Sequence, residues 1–336
     1  MIQRKTLIIG GAGYIGLVIA DKLLDEGHNV YVADNLIYGH EYALRSFVLK
    51  NNFSFINFDY TKKSINEFPD IHTFDDVIVV AGLVGDPITK KYPNYSSDVN
   101  GKCLRAIFED LNDSGIKKLI FTSTCSNYGL IKENEQADED HELNPLSLYA
   151  EEKVKAENFL ITNANKFDYE SVILRFSTAF GCAPRMRFDL SVNEFVRDIY
   201  IGKILDVYDA DTWRPYCHVR DFASLILKVL NSDEKYHGEV FNAGSDQNNS
   251  TKRMIIETII KNIPQGKVNY VEGGFDKRNY KVDFSKVKKH FNFTTQWSVE
   301  MGIKELIANM KSGFYKEDKA NDNDNFYGNY FLRGKD

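Results

Sequence analysis

The chain has 336 residues, 43% of them hydrophobic, enough for a sizeable core and an expectation of about two lobes. With 42 basic and 48 acidic residues the net charge is −6, which disfavours general binding to nucleic acid or to an anionic membrane. The cysteines at 103, 125, 182 and 217 form no CxxC pair, the histidines show no HExxH-like spacing, and no run of about 18 apolar residues occurs, so no metal site, disulfide framework or membrane span is expected.

Residues 6–9, TLII, form an apolar run suited to a buried parallel strand, which begins too close to Met1 for a signal peptide. With reduced thiols, this predicts a cytoplasmic protein. The run breaks at Gly10, Gly11 and Gly13, and a helix is expected over 14–26. Gly10, Gly13 and Gly16 permit a tight turn, close approach of backbone to a pyrophosphate, and packing of helix on strand, with Tyr14 and Ile15 in the first helical turn beside the ligand. A second strand, 29–33, leads to Asp34 and Asn35. A carboxylate 24 residues after Gly10 sits where it would bind the adenosine ribose hydroxyls and repel a 2′-phosphate, so the expected cofactor is NAD.

Further strands are expected at 53–57, 77–81, 118–121 and 171–175, alternating with helices, which predicts a doubly wound parallel sheet. The 118–121 strand runs into TSTCSNYG, 122–129, and ligands bind at the carboxyl ends of such strands. Ser123, Thr124 and Ser126 therefore present hydroxyls to a substrate, although capping of the next turn is an equal reading for Ser126. Thr124 can hydrogen-bond the same substrate oxygen as Tyr149, 25 residues later. Tyr149 and Lys153, in SLYAEEK, are i and i+4 on one helix face. An ammonium beneath a phenol favours the phenolate and makes a general base for hydride chemistry.

Beyond residue 180 the pattern loosens into loops containing Pro and Arg, with helices expected at 192–201 and at 221–230, the latter N-capped by Asp221. These form a smaller lobe, while a strand at 240–242 is read as returning to the main sheet. CAPRMRFDL, 182–190, places Arg185 and Arg187 in a loop opposite the cofactor, where they either grip diphosphate and sugar hydroxyls or are solvated. KEDKANDNDN, 316–325, has the composition of a disordered linker. Phe326, Tyr327, Tyr330, Phe331 and Leu332 follow it and are expected to dock on the body or on a neighbouring subunit. The domain reading is thus 1–180 for NAD, 181–313 mainly for substrate, and 314–336 as a tail.

GGAGYIG, AGLVG (81–85), DVNG (98–101), TSTCSNYG, YAEEK, RPYCHVRD (214–221) and RNYKVDFSK (278–286) occur in that order. Over residues 5–310 the chain resembles the extended short-chain dehydrogenase/reductase family, especially its NAD-dependent nucleotide-sugar epimerases and dehydratases. The resemblance implies a Rossmann-type α/β fold with a smaller C-terminal α/β substrate lobe. It makes Tyr149 the catalytic acid/base, with Lys153 tuning it and binding the nicotinamide ribose, and Thr124 assisting. It further implies Asp59 near the adenine, Ala81, Gly82 and Ser123 along the cofactor, and Asn100 behind the active site. Arg214 and Arg278 fall on positions that hold the diphosphate of a nucleotide-sugar, with Asp276 in the same stretch, and a homodimer is implied through 101–114 and the helix after Tyr149.

Three departures narrow the chemistry. Cys125 and Ser126 stand where related dehydratases carry an Asp–Glu pair, which disfavours dehydration. Thr178 replaces an asparagine that touches the sugar in relatives, and CAPRMRFDL replaces the usual loop. The expected activity is 4-epimerisation of a nucleotide-diphospho-sugar through a 4-keto sugar, for bacterial surface polysaccharide. The alternatives are a C4 dehydrogenase of such a sugar, for example a GDP-heptose, and, more remotely, a non-catalytic NAD-sensing protein.

Overall fold

The computed structural model describes residues 4–132, 135–274, 278–315 and 326–335. Its centre is a sheet of seven parallel strands. In chain order these are β1 (Lys5–Ile9), β2 (Asn29–Asp34), β3 (Phe53–Asn57), β4 (Asp76–Val79), β5 (Lys118–Thr124) and β6 (Glu170–Phe176). After β7 (Thr178–Phe180), β8 (Ile204–Tyr208) and β9 (Trp213–His218), β10 (His237–Ala243) rejoins the sheet, pairing in parallel with β6. The order is β10-β6-β5-β4-β1-β2-β3. Chain progression reverses between β1 and β4, which leaves a crevice at their carboxyl ends, the ligand site of doubly wound sheets.

Apolar runs such as Leu7, Ile8 and Ile9 are buried because helices cover both faces. The helices are α1 (Tyr14–Asp25), α2 (Asp86–Lys91), α3 (Pro93–Ser97), α4 (Cys103–Asp110), α5 (Leu148–Asn163), α6 (Ser191–Tyr200), α7 (Val219–Leu230), α8 (Lys252–Asn262), α9 (Ser285–Phe291) and α10 (Val299–Lys311). None is long and apolar enough to cross a membrane. With β11 (Asn249–Thr251) and β12 (Lys267–Val271), the second half adds a three-stranded sheet, β11-β9-β7, and a parallel pair, β12-β8.

Two local expectations are corrected. The strand expected to stop at 121 continues to Thr124, because pairing with β6 runs on through Thr124 opposite Phe176. Asp221 is not the cap of α7: His218 takes that place, its imidazole accepting from the Arg220 N–H at 3.2 Å. Asp221 lies inside the first turn, where its carboxylate accepts from the N–H groups of Gln296 (2.9 Å) and Trp297 (3.1 Å).

The C-terminal aromatics dock on the body of their own chain. Phe326 stacks on Tyr42 with centroids 4.8 Å apart, and Tyr327 and Leu332 are buried. Backbone bonds fasten the segment at Phe188 N–H to Tyr327 O (2.7 Å) and at Arg333 N–H to Ile37 O (2.7 Å).

Candidate active site

The crevice opens into a cavity of about 690 Å³. Its dinucleotide end is built by close backbone packing. Gly10 has φ +78°, and a Cβ there would lie 2.5 Å from the Ala81 Cα, so glycine lets β1 and β4 converge. At Gly16 a Cβ would meet Gly11 at 2.6 Å, so glycine also seats α1 against the turn. Helix α1 begins after Gly13 with no side-chain cap, leaving its first N–H groups available for an anion. The Asp34 carboxylate accepts from Ala12 N–H (3.1 Å) and Leu36 N–H (2.8 Å) at the end of β2. Burial nevertheless holds this carboxyl above its ordinary range.

In the middle of the cavity, Thr124 closes β5 and Tyr149 occupies the first turn of α5, whose N-cap Ser147 accepts from Ala150 N–H. Lys153, one turn on, donates to Thr122 O at 2.9 Å, and its Nζ lies 5.9 Å from the centre of the Tyr149 ring. Burial pushes the Lys153 ammonium down to about 7, against the opposing charge of Glu157. Thr124 Oγ1 accepts from Ser126 N–H at 3.1 Å. Cys125 turns away and donates to Arg175 O (3.1 Å), while Ser126 lines the cavity beside Tyr280, whose hydroxyl lies 3.4 Å from its Oγ.

Ile15, Asn35, Gly82, Ser123, Thr178, Arg185, Arg187, Arg214 and Arg278 line the same cavity, together with the glycine turn. Asp59 and Asn100 do not. The Asp59 carboxylate accepts from Thr61 N–H (3.1 Å) and its hydroxyl (2.6 Å), leaving Phe58, Tyr60 and Thr61 to face the crevice. Asn100 accepts from Leu83 N–H (2.9 Å) and donates to Leu83 O (3.0 Å), so it fixes the turn after β4. The Tyr14 hydroxyl is engaged by residues of the second half of the chain, donating to Gly181 O (2.6 Å) and accepting from Asn193 (3.0 Å). Asp276 lies outside the described residues.

Arg185 and Arg187 are buried, not solvated. Arg187 is bound by both Asp189 oxygens, at 2.6 and 3.0 Å. Burial pushes the Asp189 carboxyl up, but the charge and hydrogen bonds of Arg187 outweigh it and hold it below its ordinary range. The Arg185 guanidinium lies 5.1 Å over the ring of Tyr38, which belongs to the loop after β2. Sequence reasoning also missed Tyr38, His40, Asp206, Lys252, Tyr280, Asn329 and Tyr330 in the lining. Only Tyr280 lay within a recognised motif.

A glycine cradle and an acid-ended second strand, open to a Tyr–Lys pair, define a class: Rossmann-fold enzymes that use a nicotinamide cofactor. The sequence profile of the NAD dependent epimerase/dehydratase family matches residues 6–244, and the chain belongs to that family. The chain is similar to a UDP-glucuronate 4-epimerase from Thermodesulfobacterium geofontis, 28% identical over 313 residues, 90% of this chain and 94% of the relative. It is also similar to UDP-arabinose 4-epimerase 1 of Arabidopsis thaliana, 25% identical over 323 residues, 86% and 75% of the two chains. Its fold matches the crystal structure of a UDP-glucuronic acid 4-epimerase from Bacillus cereus in complex with UDP-glucuronic acid and NAD. That TM-score is 0.83, at 23% identity, covering 93% of this chain and all of the other.

Proposed function

We propose that the protein is an NAD-dependent 4-epimerase of a uridine diphosphate sugar, acting through a 4-keto sugar. The observation that carries this is Tyr149 and Thr124 on one cavity wall with the buried Lys153 ammonium beneath the phenol. The residues present fit NAD: the glycine turn and the uncapped α1 terminus line the cavity where a diphosphate's charge is favoured, and Asp34 disfavours a 2′-phosphate. When bound, NAD supplies the acceptor and donor of the C4 hydrogen.

The protein's own groups handle the proton and the orientation. Thr124 Oγ1 already accepts from Ser126 N–H, which leaves its hydroxyl hydrogen free to donate to a substrate oxygen. Tyr149, as phenolate, takes the proton of the sugar C4 hydroxyl and returns it to the C4 oxygen after the ketone has turned over. The buried Lys153 ammonium, 5.9 Å from the centre of the ring, stabilises that phenolate through its charge. Arg214, whose guanidinium lies 5.1 Å over the Tyr280 ring, and Arg278 line the same cavity and are read as diphosphate ligands. Cys125 faces the Arg175 backbone and is held above the usual thiol range by burial, so it offers no acid for loss of water.

The uridine nucleotide and the uronic or neutral nature of the sugar are inferred from the relatives' substrates. A role in surface polysaccharide synthesis, a cytoplasmic location and a dimer through α4 and α5 belong to the same proposal. A sugar nucleotide deuterated at C4 tests the chemistry: the epimerised product should keep its deuterium, and washout into water would exclude direct return of that hydrogen.

A further inference from the structure

Arg185 is 3% exposed, and among the described residues no carboxylate stands within ion-pair distance of it. Its Nη2 donates to Gly328 O (3.1 Å) and Asn329 Oδ1 (2.5 Å), and its Nε is buried without a hydrogen-bond partner. Arg187, two residues on, is neutralised by Asp189, and Arg175 is neutralised by Glu157. A buried guanidinium with no carboxylate in ion-pair contact is costly, even with Asp189 and Asp34 near enough to act on it through charge, and this one borders the cavity, where a group entering from outside can reach it.

Its surroundings select the ligand. Burial, and then the Arg185 charge, push the His40 imidazole down to about 3, while the same charge opposes the rise of the Asp34 carboxyl. The hydroxyls of Tyr38 and Tyr42 are likewise buried without partners. Asp34, Tyr38, His40 and Tyr42 belong to the end of β2, the loop after it and the short 3-10 helix Glu41–Leu44 that ends that loop, a segment that faces the adenosine half of a dinucleotide in a doubly wound sheet.

We propose that Arg185 contacts the cofactor, not the sugar, and that residues 326–335 are a clasp that holds both Arg185 and the dinucleotide in place. Asn329 is the positioning residue. It accepts from Arg185, donates through Nδ2 to Val84 O (3.1 Å) after β4, and donates through its backbone N–H to Asp189 (3.2 Å). Leu332 is buried with Leu83, Ile88 and Val99, and Arg333 N–H bonds Ile37 O after β2. The segment therefore bridges the loops on both sides of the crevice, and Asn329 and Tyr330 line the cavity. Release of a bound dinucleotide requires this segment or the loops it ties to give way.

The inference rests on the reading of the cavity as a dinucleotide site, and the test separates the two. The full-length protein is loaded with NADH, chased with excess NAD, and followed by loss of NADH fluorescence, while UDP affinity is measured by calorimetry. Asn329→Ala removes the Arg185 contact, and Leu332→Ala loosens the clasp at a residue outside the cavity lining. Both variants should release NADH on the order of tenfold faster, with UDP affinity within about twofold of the parent. Near-UV circular dichroism identifies any variant that fails to fold, and the other then decides. Parental release rates in a folded variant, or loss of UDP affinity with NADH retention unchanged, would overturn the proposal. A parent protein that binds no dinucleotide would instead overturn the underlying reading of the cavity.

Discussion

The Lys153 ammonium donates to Thr122 O at 2.9 Å while its nitrogen stands 5.9 Å from the centre of the Tyr149 ring, so one buried cation joins the end of β5 to the first turn of α5. That connection makes Tyr149 the residue to change first. Tyr149→Phe keeps the ring and removes the proton carrier, and turnover should fall by about 10²- to 10⁴-fold. Bound NAD per chain, measured after gel filtration, should not change. Retained turnover would remove the phenol from the mechanism.

Lys153 also sets a pH dependence. Its folded value is pushed down to about 7, whereas an unfolded lysine holds its proton to about 10.4. Between these values the unfolded chain binds more protons, so this group makes the cofactor-free protein more stable as pH rises from about 7 to about 10. Below about pH 7 the burial cost is fully present. Lys153→Met should therefore be more stable than the parent at pH 6, by about 2–4 kcal/mol, with the gap closing toward pH 10. Urea unfolding at the two pH values measures this, and an equal gap at both would contradict it.

One turn beyond Lys153, Glu157 binds the buried Arg175 with contacts of 2.8, 3.1 and 3.2 Å and accepts from Asn127 at 2.8 Å. Arg175 also donates to the Tyr128 hydroxyl (2.9 Å), which donates to Asn242 (2.7 Å). The network locks α5 to β6, to β10 and to the turn after β5. Glu157→Ala strands a buried guanidinium, and should lower unfolding free energy by about 3–5 kcal/mol.

Thiol reactivity should follow burial. Cys125, Cys182 and Cys217 are buried, and Cys103 is half-exposed. Burial pushes the Cys182 thiol up to about 12, and Cys125 and Cys217 are raised by the same cause. A disulfide reagent at pH 8 should titrate one thiol in the native protein and four in urea. Rapid native labelling at Cys125 would contradict its inward orientation.

The parts of this site readable in the sequence are those encoded by neighbours in the chain. The Gly10 turn, Asp34 at a strand end and the i, i+4 pairing of Tyr149 with Lys153 each follow from local periodicity and backbone sterics. The burial of Arg185 is not legible locally because its partner, Asn329, lies 144 positions away. Asp221 resembled a cap because that signal is local, while the N–H groups that bind it lie 75 and 76 residues on. Asn329 and Tyr330 carried no motif at all, since only docking of the C-terminal segment brings them to the cavity.

The most direct test is to incubate the protein with NAD and a panel of UDP-sugars, with GDP-, CDP- and dTDP-sugars alongside, and to follow each by chromatography with mass detection. The account predicts, for a UDP-sugar, a product of unchanged mass and new retention with no accumulation of NADH. A product lighter by two hydrogens, with NADH appearing, would make the protein a C4 dehydrogenase, and a product lighter by one water would make it a dehydratase.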